Sequence, residues 1–264
     1  MEPDMGEAQH EVASEIRPEV SVFWKPGCSS CLKLKEFVEE QGIEFESVNL
    51  QEREDAMEEI VAAGLRGIPV LRKGRKYIYA QNLDEVANLL GVSRNHTKLS
   101  HAELVERWDE ILHGARTVVS WFPEEQLSRR AILVRDRPIK DLCSHIFQIP
   151  ETFLLMLEGS IQNERDHLTR KRDDIVTRAD LLAYIERTIS KFQDWRVRQG
   201  VSAIPANMMT YYGDQTSAQV LERGVWHSAQ HARQLDTIAA GLGAEFQIPQ
   251  ELYIGLPMPQ RLWA

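Results

Sequence analysis

Positive charge is scarce in this chain. Its 264 residues carry 31 Lys and Arg against 40 Asp and Glu, a formal net charge of -9, whereas a surface that displaces counterions from phosphates needs a basic face. Nucleic acid is therefore not an expected partner. The one basic cluster, Arg170-Lys171-Arg172, lies among Asp166, Asp173 and Asp174 and reads as a solvated loop. Long hydrophobic runs are missing too. No stretch approaches the roughly 20 apolar residues of a membrane span, and the opening MEPDMGEAQHEVASE is acidic where a targeting peptide would be basic or apolar. No membrane partner and a cytoplasmic location are expected. Cysteine is rare, with three in the chain, and in that compartment a short Cys pair is more often catalytic or metal-binding than structural.

What is present suits two domains. The composition, 43% hydrophobic and 27% charged, is that of an ordinary globular protein, and the length exceeds that of a typical single domain. Residues 1–17 are polar, acidic and aperiodic, a flexible leader. Alternation then predicts a strand over Glu19–Trp24, a helix over Ser29–Gln41, a strand in IEFESVNL, a helix over Glu52–Ala63, a strand in GIPVL, a KGRK turn into a strand YIYA, and a helix over Leu83–Leu90. Such an order gives a small mixed sheet with helices on both faces over residues 18–92. Residues 93–99 form a polar linker. From residue 100 to 264 only helical periodicity is found, over roughly Ser100–Ser120, Pro138–Glu158, Ala179–Gln199 and Thr216–Leu242, which implies an all-α antiparallel four-helix bundle. Ser100 is placed to cap the first of these with Glu103.

Cys28 and Cys31 stand two residues apart between the first strand and the first helix. A cysteine at a helix N-terminus has its thiolate stabilised by unpaired backbone N–H groups and the helix dipole. Lys25 adds a nearby positive charge. Cys31, one turn on, is placed to resolve a mixed disulfide on Cys28. A zinc site would need further ligands, yet Cys143 is isolated in the second half and no His follows Cys31 before the linker. Pro69 opens a strand, a position that suits an edge or a cis peptide; the cis form would set the Ile68 backbone beside the dithiol, ready to pair with an extended thiol peptide.

A second cluster lies in the helical half. His227 and His231 are four apart and share a helical face, in a seam of Leu221, Gly224, Ser228, Leu235, Ile238 and Leu242. Inward imidazoles are either hydrogen-bonded core residues or ligands of a divalent metal, and His145, in an apolar stretch of the second long helix, is the best third ligand. His96, His101, His113 and His167 fall in polar or boundary sequence and read as surface residues; His10 belongs to the leader. Gln230 and Arg233 flank His231 and read as helix surface, the alternative being that they orient an anionic substrate.

Two resemblances add to these readings. Residues 19–91 resemble a glutaredoxin, a thioredoxin-fold domain that reduces disulfides with glutathione, through KPGCSSC, RGIPV and NLDEV. By that resemblance Lys25, Ile68, Pro69, Leu83 and Asp84 would surround glutathione, with Arg66 less central. Ser29 and Ser30 depart from the family's proline and tyrosine, and Gln81 and Asn82 stand where the family carries glycines. Residues 99–264 resemble the DinB-like superfamily of metal-binding four-helix bundles, which includes bacillithiol- and mycothiol-dependent transferases, through LCSHI, TYYGDQTSAQVLERGVWHSAQHARQL and GLPMPQRLW. That resemblance implies a metal (zinc, nickel or iron) on His145, His227 and His231. Together they imply a glutathione-linked thiol-disulfide oxidoreductase fused to a metal-dependent thiol transferase or lyase. Expected partners are glutathione or another low-molecular-weight thiol and a small electrophile or mixed disulfide, and a homodimer is conceivable. A disulfide reductase with a client-binding bundle, and a non-enzymatic redox- or metal-responsive binding protein, are the alternatives.

Overall fold

The computed structural model describes residues 18–96, 98–132, 135–161 and 164–263; the leader over 1–17, with His10, lies outside them. In the N-terminal half β1 (Val20–Trp24), α1 (Ser29–Glu40), β2 (Glu46–Asn49), α2 (Ala56–Ala62), β3 (Val70–Lys73), β4 (Lys76–Tyr79) and α3 (Leu83–Leu90) follow in order. The sheet runs β2-β1-β3-β4, with β1 parallel to β2 and antiparallel to β3. Alternation along β1 explains the layers. Val20 and Val22 meet Leu34, Phe37 and Val38 of α1 and Val86 and Leu90 of α3, while Phe23 turns to the other face with Val48, Val70 and Ile60 of α2. Gly91 ends α3 at φ 78°, the left-handed cap that a glycine adopts freely.

Two boundaries differ from the sequence reading. The helix expected from Glu52 starts at Ala56, because Asn49 holds the intervening turn: its side chain accepts from the Gln51 N–H at 3.1 Å and its carbonyl from Glu52 at 3.1 Å and Arg53 at 3.0 Å. The strand expected from Gly67 starts at Val70, after a proline that has no N–H for the ladder.

The C-terminal half is helical. Its elements are α4 (His101–Trp121), α5 (Glu124–Leu127), a hairpin of β5 (Arg130–Ile132) and β6 (Arg135–Pro138), α6 (Ile139–Leu157), α7 (Glu164–Thr169), α8 (Arg178–Arg198), a hairpin of β7 (Asn207–Thr210) and β8 (Gly213–Thr216), and α9 (Ser217–Gly241). The two hairpins correct the expectation of helix alone; strands of three or four residues are too short to show a period of two. Ser100, Thr177 and Thr216 begin α4, α8 and α9 with capping boxes. α4 and α6 each pack on both α8 and α9 around one core that includes Trp108, Phe147, Phe192 and Trp226. Arg172, read as part of a solvated loop, is instead packed over the Tyr184 ring at 3.8 Å and paired with Glu151 at 3.3 Å.

Two small residues fix α9 in that core. A Cβ on Gly224 would come within 2.6 Å of Trp108, so the position admits only glycine without repacking. Pro150, inside α6, has no N–H to give the Ile146 carbonyl one turn back. Ser228 supplies the missing donor, with its hydroxyl 3.2 Å from that carbonyl, and accepts the Trp108 indole N–H at 2.9 Å. Ser228→Ala would strand both buried groups and is expected to cost about 2 kcal/mol or more, read as a lower urea midpoint at unchanged slope.

Candidate functional site

The dithiol sits where local chemistry puts it. Cys28 is the N-cap of α1, with φ -96° and ψ 103°, and its sulfur accepts the Cys31 N–H at 3.2 Å. The two cysteines are joined as a disulfide, Cα–Cα 5.2 Å. Cys31 is buried and Cys28 half-buried, so the first sulfur is the one that solvent can reach. The Ile68–Pro69 bond is cis, and the Pro69 carbonyl accepts from Ala80 at 2.9 Å. Lys25 is exposed at the rim, as is Arg66. Leu83 is a core residue of α3. The Asp84 carboxylate is held by Arg94 at 2.6 Å and Lys98 at 3.1 Å, contacts that pull its pKa below the ordinary value against the opposing effect of burial.

In the helical half, ligand atoms of His145, His227 and His231 all lie within 4.8 Å of one another. His227 Nε2 faces His231 Nε2 at 3.1 Å. Two glutamines define which nitrogens carry hydrogen. The Gln234 amide donates to the Leu262 carbonyl, so its oxygen faces His231 Nδ1 at 2.7 Å and takes an N–H from it. Gln148 donates to the carbonyls of His167 and Arg170, leaving its oxygen 3.4 Å from His145 Nδ1. In this arrangement Nδ1 of His145 and of His231 faces a glutamine oxygen, so that Nε2 is the nitrogen of each ring that carries the lone pair. His227 cannot be satisfied on both sides: its buried Nδ1 has no partner among the described residues while its Nε2 faces a lone pair. Burial, reinforced by His231 and His145, pushes the His227 pKa well below the usual histidine value, toward the neutral form that ligates metals.

The two halves meet along a seam in which α1 packs on α9. Ser29, Ser30, Lys33 and Glu36, one face of α1, are buried. Lys33 Nζ lies over the Trp226 ring at 4.3 Å, next in sequence to His227. The C-terminal tail runs between the helices as a strap. Glu36 accepts from the backbone N–H of Gln260 at 2.6 Å and of Arg261 at 2.9 Å. The strap's carbonyls accept from Gln230 at 3.0 and 3.1 Å and from Arg233 at 2.9 to 3.2 Å. Gln230 and Arg233 are thus clamps on the tail, a correction to their reading as helix surface. The linker is also engaged, His96 pairing with Glu222 at 2.8 Å.

Burial pushes the Lys33 ammonium down to about 7, with Glu222 opposing the fall and Arg94 and Arg223 adding to it. The folded value lies below the ordinary 10.5. Between those two pH values the unfolded chain binds more protons, so stability rises with pH across that window and the cost of the buried charge is fully present below it. Lys33→Met is expected to gain about 1 kcal/mol or more in the acidic part of the neutral range. It should also flatten the rise, which urea titrations on either side of the window would check.

Sequence reasoning missed several residues here. His96 and His167, read as surface, are largely buried; His167 Nδ1 lies 2.8 Å from the Thr152 hydroxyl. Gln148 and Gln234 went unnoticed, although each stands three residues after a cluster histidine, a repeated H-x-x-Q that was a usable signal. A cavity of about 480 Å³ between α6 and α8, lined by Leu154, Thr188 and Trp195 among others, touches none of the dithiol or histidine residues.

A dithiol capping a helix, a cis-proline loop and a β2-β1-β3-β4 sheet define a thioredoxin-like oxidoreductase domain. The family model described as Glutaredoxin matches residues 20–78. The glutaredoxin-like protein NrdH of Lactococcus lactis subsp. lactis is 32% identical over 54 residues, 20% of this chain and 75% of the relative. The N-acetyl-S-hydroxy-L-cysteine reductase of Bacillus subtilis is 30% identical over 87 residues, 32% of this chain and 92% of the relative. Through this domain the chain belongs to the glutaredoxin family. No solved structure matches it, and no helix among the described residues is long and apolar enough to cross a membrane.

Proposed function

We propose that the protein reduces an oxidised low-molecular-weight thiol at Cys28 and Cys31, and that its helical half is a DinB-type metal-binding bundle working on the same thiol. The observation that carries this reading is the packing of α1, which Cys28 caps, against α9, which bears His227 and His231. In the redox half-reaction the Cys28 thiolate attacks the substrate sulfur of R–S–S–R′ or R–S–OH. A Cys28–S–S–R bond forms, and R′S⁻ or hydroxide leaves. Cys31 thiolate then attacks the Cys28 sulfur, RS⁻ departs, and two electrons have passed from the dithiol to the substrate. The Cys31 N–H that meets the Cys28 sulfur in the structure is placed to stabilise the thiolate. Support for a small substrate comes from the Bacillus subtilis relative, a reductase of N-acetyl-S-hydroxy-L-cysteine.

His145, His227 and His231 are proposed to hold a divalent ion. The fit rests on the grouping of the three rings, whose ligand atoms lie within 4.8 Å of one another, on the unsatisfied Nδ1 of buried His227 and on the 3.1 Å between Nε2 of His227 and Nε2 of His231, a spacing that two imidazoles bound at about 2.1 Å to one ion can have. Such an ion supplies a Lewis acid that favours the anion of a bound thiol or water. Gln148 and Gln234 orient the rings, and the tail carbonyl of Leu262 holds Gln234 in turn. The partner thiol is glutathione or a smaller one, and the second substrate a small electrophile. The test is elemental analysis of the purified full chain together with thiol consumption against a panel of small electrophiles. About one divalent ion per chain and thiol-dependent turnover are expected. A chain that binds no ion on titration and consumes no thiol would sink the joint reading.

A further inference from the structure

We infer that the β7–β8 hairpin is a specificity element for the dithiol: with Tyr211 and Gln215 it covers the groove beside Pro69, so that the substrate is an oxidised thiol smaller than a tripeptide. The inference rests on the oxidoreductase reading above and narrows its substrate class.

A thiol carried on an extended peptide needs free main chain before the proline and free polar groups at the start of α3. Here the Ile68 carbonyl and the side chains of Asn82, Asp84 and Glu85 are engaged within the protein. The Ile68 carbonyl accepts from the Gln81 amide at 3.4 Å, and the same amide donates to the Tyr211 hydroxyl. Gln81 is held from its other end by Arg223 at 3.2 Å. The Tyr211 ring packs edge-on against Tyr79 at 5.5 Å, and Tyr79 accepts the Arg66 N–H at 2.7 Å. One residue along, Asn82 donates to Gln215 at 2.9 Å, and Gln215 in turn donates to Glu85 at 3.0 Å. Arg165 lies over Gly67, where a Cβ would meet its guanidinium at 3.2 Å. Asp84, in the first turn of α3, is already paired with Arg94 and Lys98.

The cover is itself anchored. Both oxygens of buried Glu164 accept the Tyr211 N–H at 3.1 Å, and Thr210 takes the Tyr212 N–H at 3.3 Å. Opening the groove therefore breaks contacts in both halves at once. Cys28, in contrast, remains half-exposed beside exposed Lys25, so a compact substrate reaches the sulfur without displacing the hairpin. A small substrate R–S–S–R follows the balanced exchange already given, two thiols released for one Cys28–Cys31 disulfide formed.

Single-turnover oxidation of the reduced full chain tests this without an added reductant. The probes are bis(2-hydroxyethyl) disulfide and glutathione disulfide, with protein disulfide formation followed by quenching and mass spectrometry. Wild type is expected to react at least about 10-fold faster with the small disulfide, and Tyr211→Ala to raise the glutathione rate about 10-fold while changing the small-disulfide rate by less than about 3-fold. Tyr211→Phe keeps the ring and loses only the hydroxyl, so it folds with the cover in place and should give a smaller rise of the same sign. Equal wild-type rates for the two probes, or a ratio unmoved in both variants, would overturn the inference. Failure of both probes to oxidise wild type would instead strike at the oxidoreductase reading.

Discussion

Cys28→Ser is expected to abolish reduction of small disulfides, a loss on the order of 10³-fold or more because a serine hydroxyl is not ionised near neutral pH and is a far weaker nucleophile toward sulfur. Cys31→Ser should behave differently. The group that contacts the Cys28 sulfur is the backbone N–H of residue 31, at 3.2 Å, and that donor survives the substitution. The first attack then proceeds at a near wild-type rate, while the mixed disulfide has no internal thiol to resolve it. Intact mass spectrometry after one turnover should find the substrate half attached to Cys28 in Cys31→Ser and absent from both wild type and Cys28→Ser. Equal activity in Cys28→Ser and wild type would remove the dithiol from the chemistry altogether.

The second large effect is expected at the histidine cluster. His231 is buried, and its ring is aimed by Gln234, which is aimed in turn by the Leu262 carbonyl. His231→Ala removes one of the three proposed ligands and should weaken binding of a divalent ion by at least about 100-fold. Gln234→Ala keeps every ligand but frees the ring and its tautomer, and should weaken binding by about 10-fold. Competition against a chromophoric chelator measures both, and circular dichroism checks that α9 is intact. The graded order matters, since a ligand and its orienting partner differ in this way and two structural core residues do not. If His231→Ala binds the ion as wild type does, the cluster is a hydrogen-bonded core feature.

The elements legible in the sequence share a cause. The four long helices were found within a residue or two of their observed ends because each carries an apolar stripe many turns long, and Ser100 with Glu103 marks its helix start by a contact three residues apart. Short elements were not legible. The β7–β8 hairpin shows no alternation, yet its Tyr211 reaches Gln81 across the seam. The start of α2 was misplaced because the Asn49 side chain competes locally for the backbone, an effect that hydrophobic periodicity does not register.

By itself, the sequence determined the features whose partners lie within a turn: the Cys28 sulfur at the head of α1 and the shared face of His227 and His231. Tertiary structure decided the rest. It brought His145 to that face from another helix and turned Gln234 with a tail carbonyl. It also buried Lys33 against Trp226 and laid the hairpin over the groove by Pro69. Each of these depends on burial or on contacts between segments far apart in the chain, and such forces exist only once the surfaces have docked and water has left the seam.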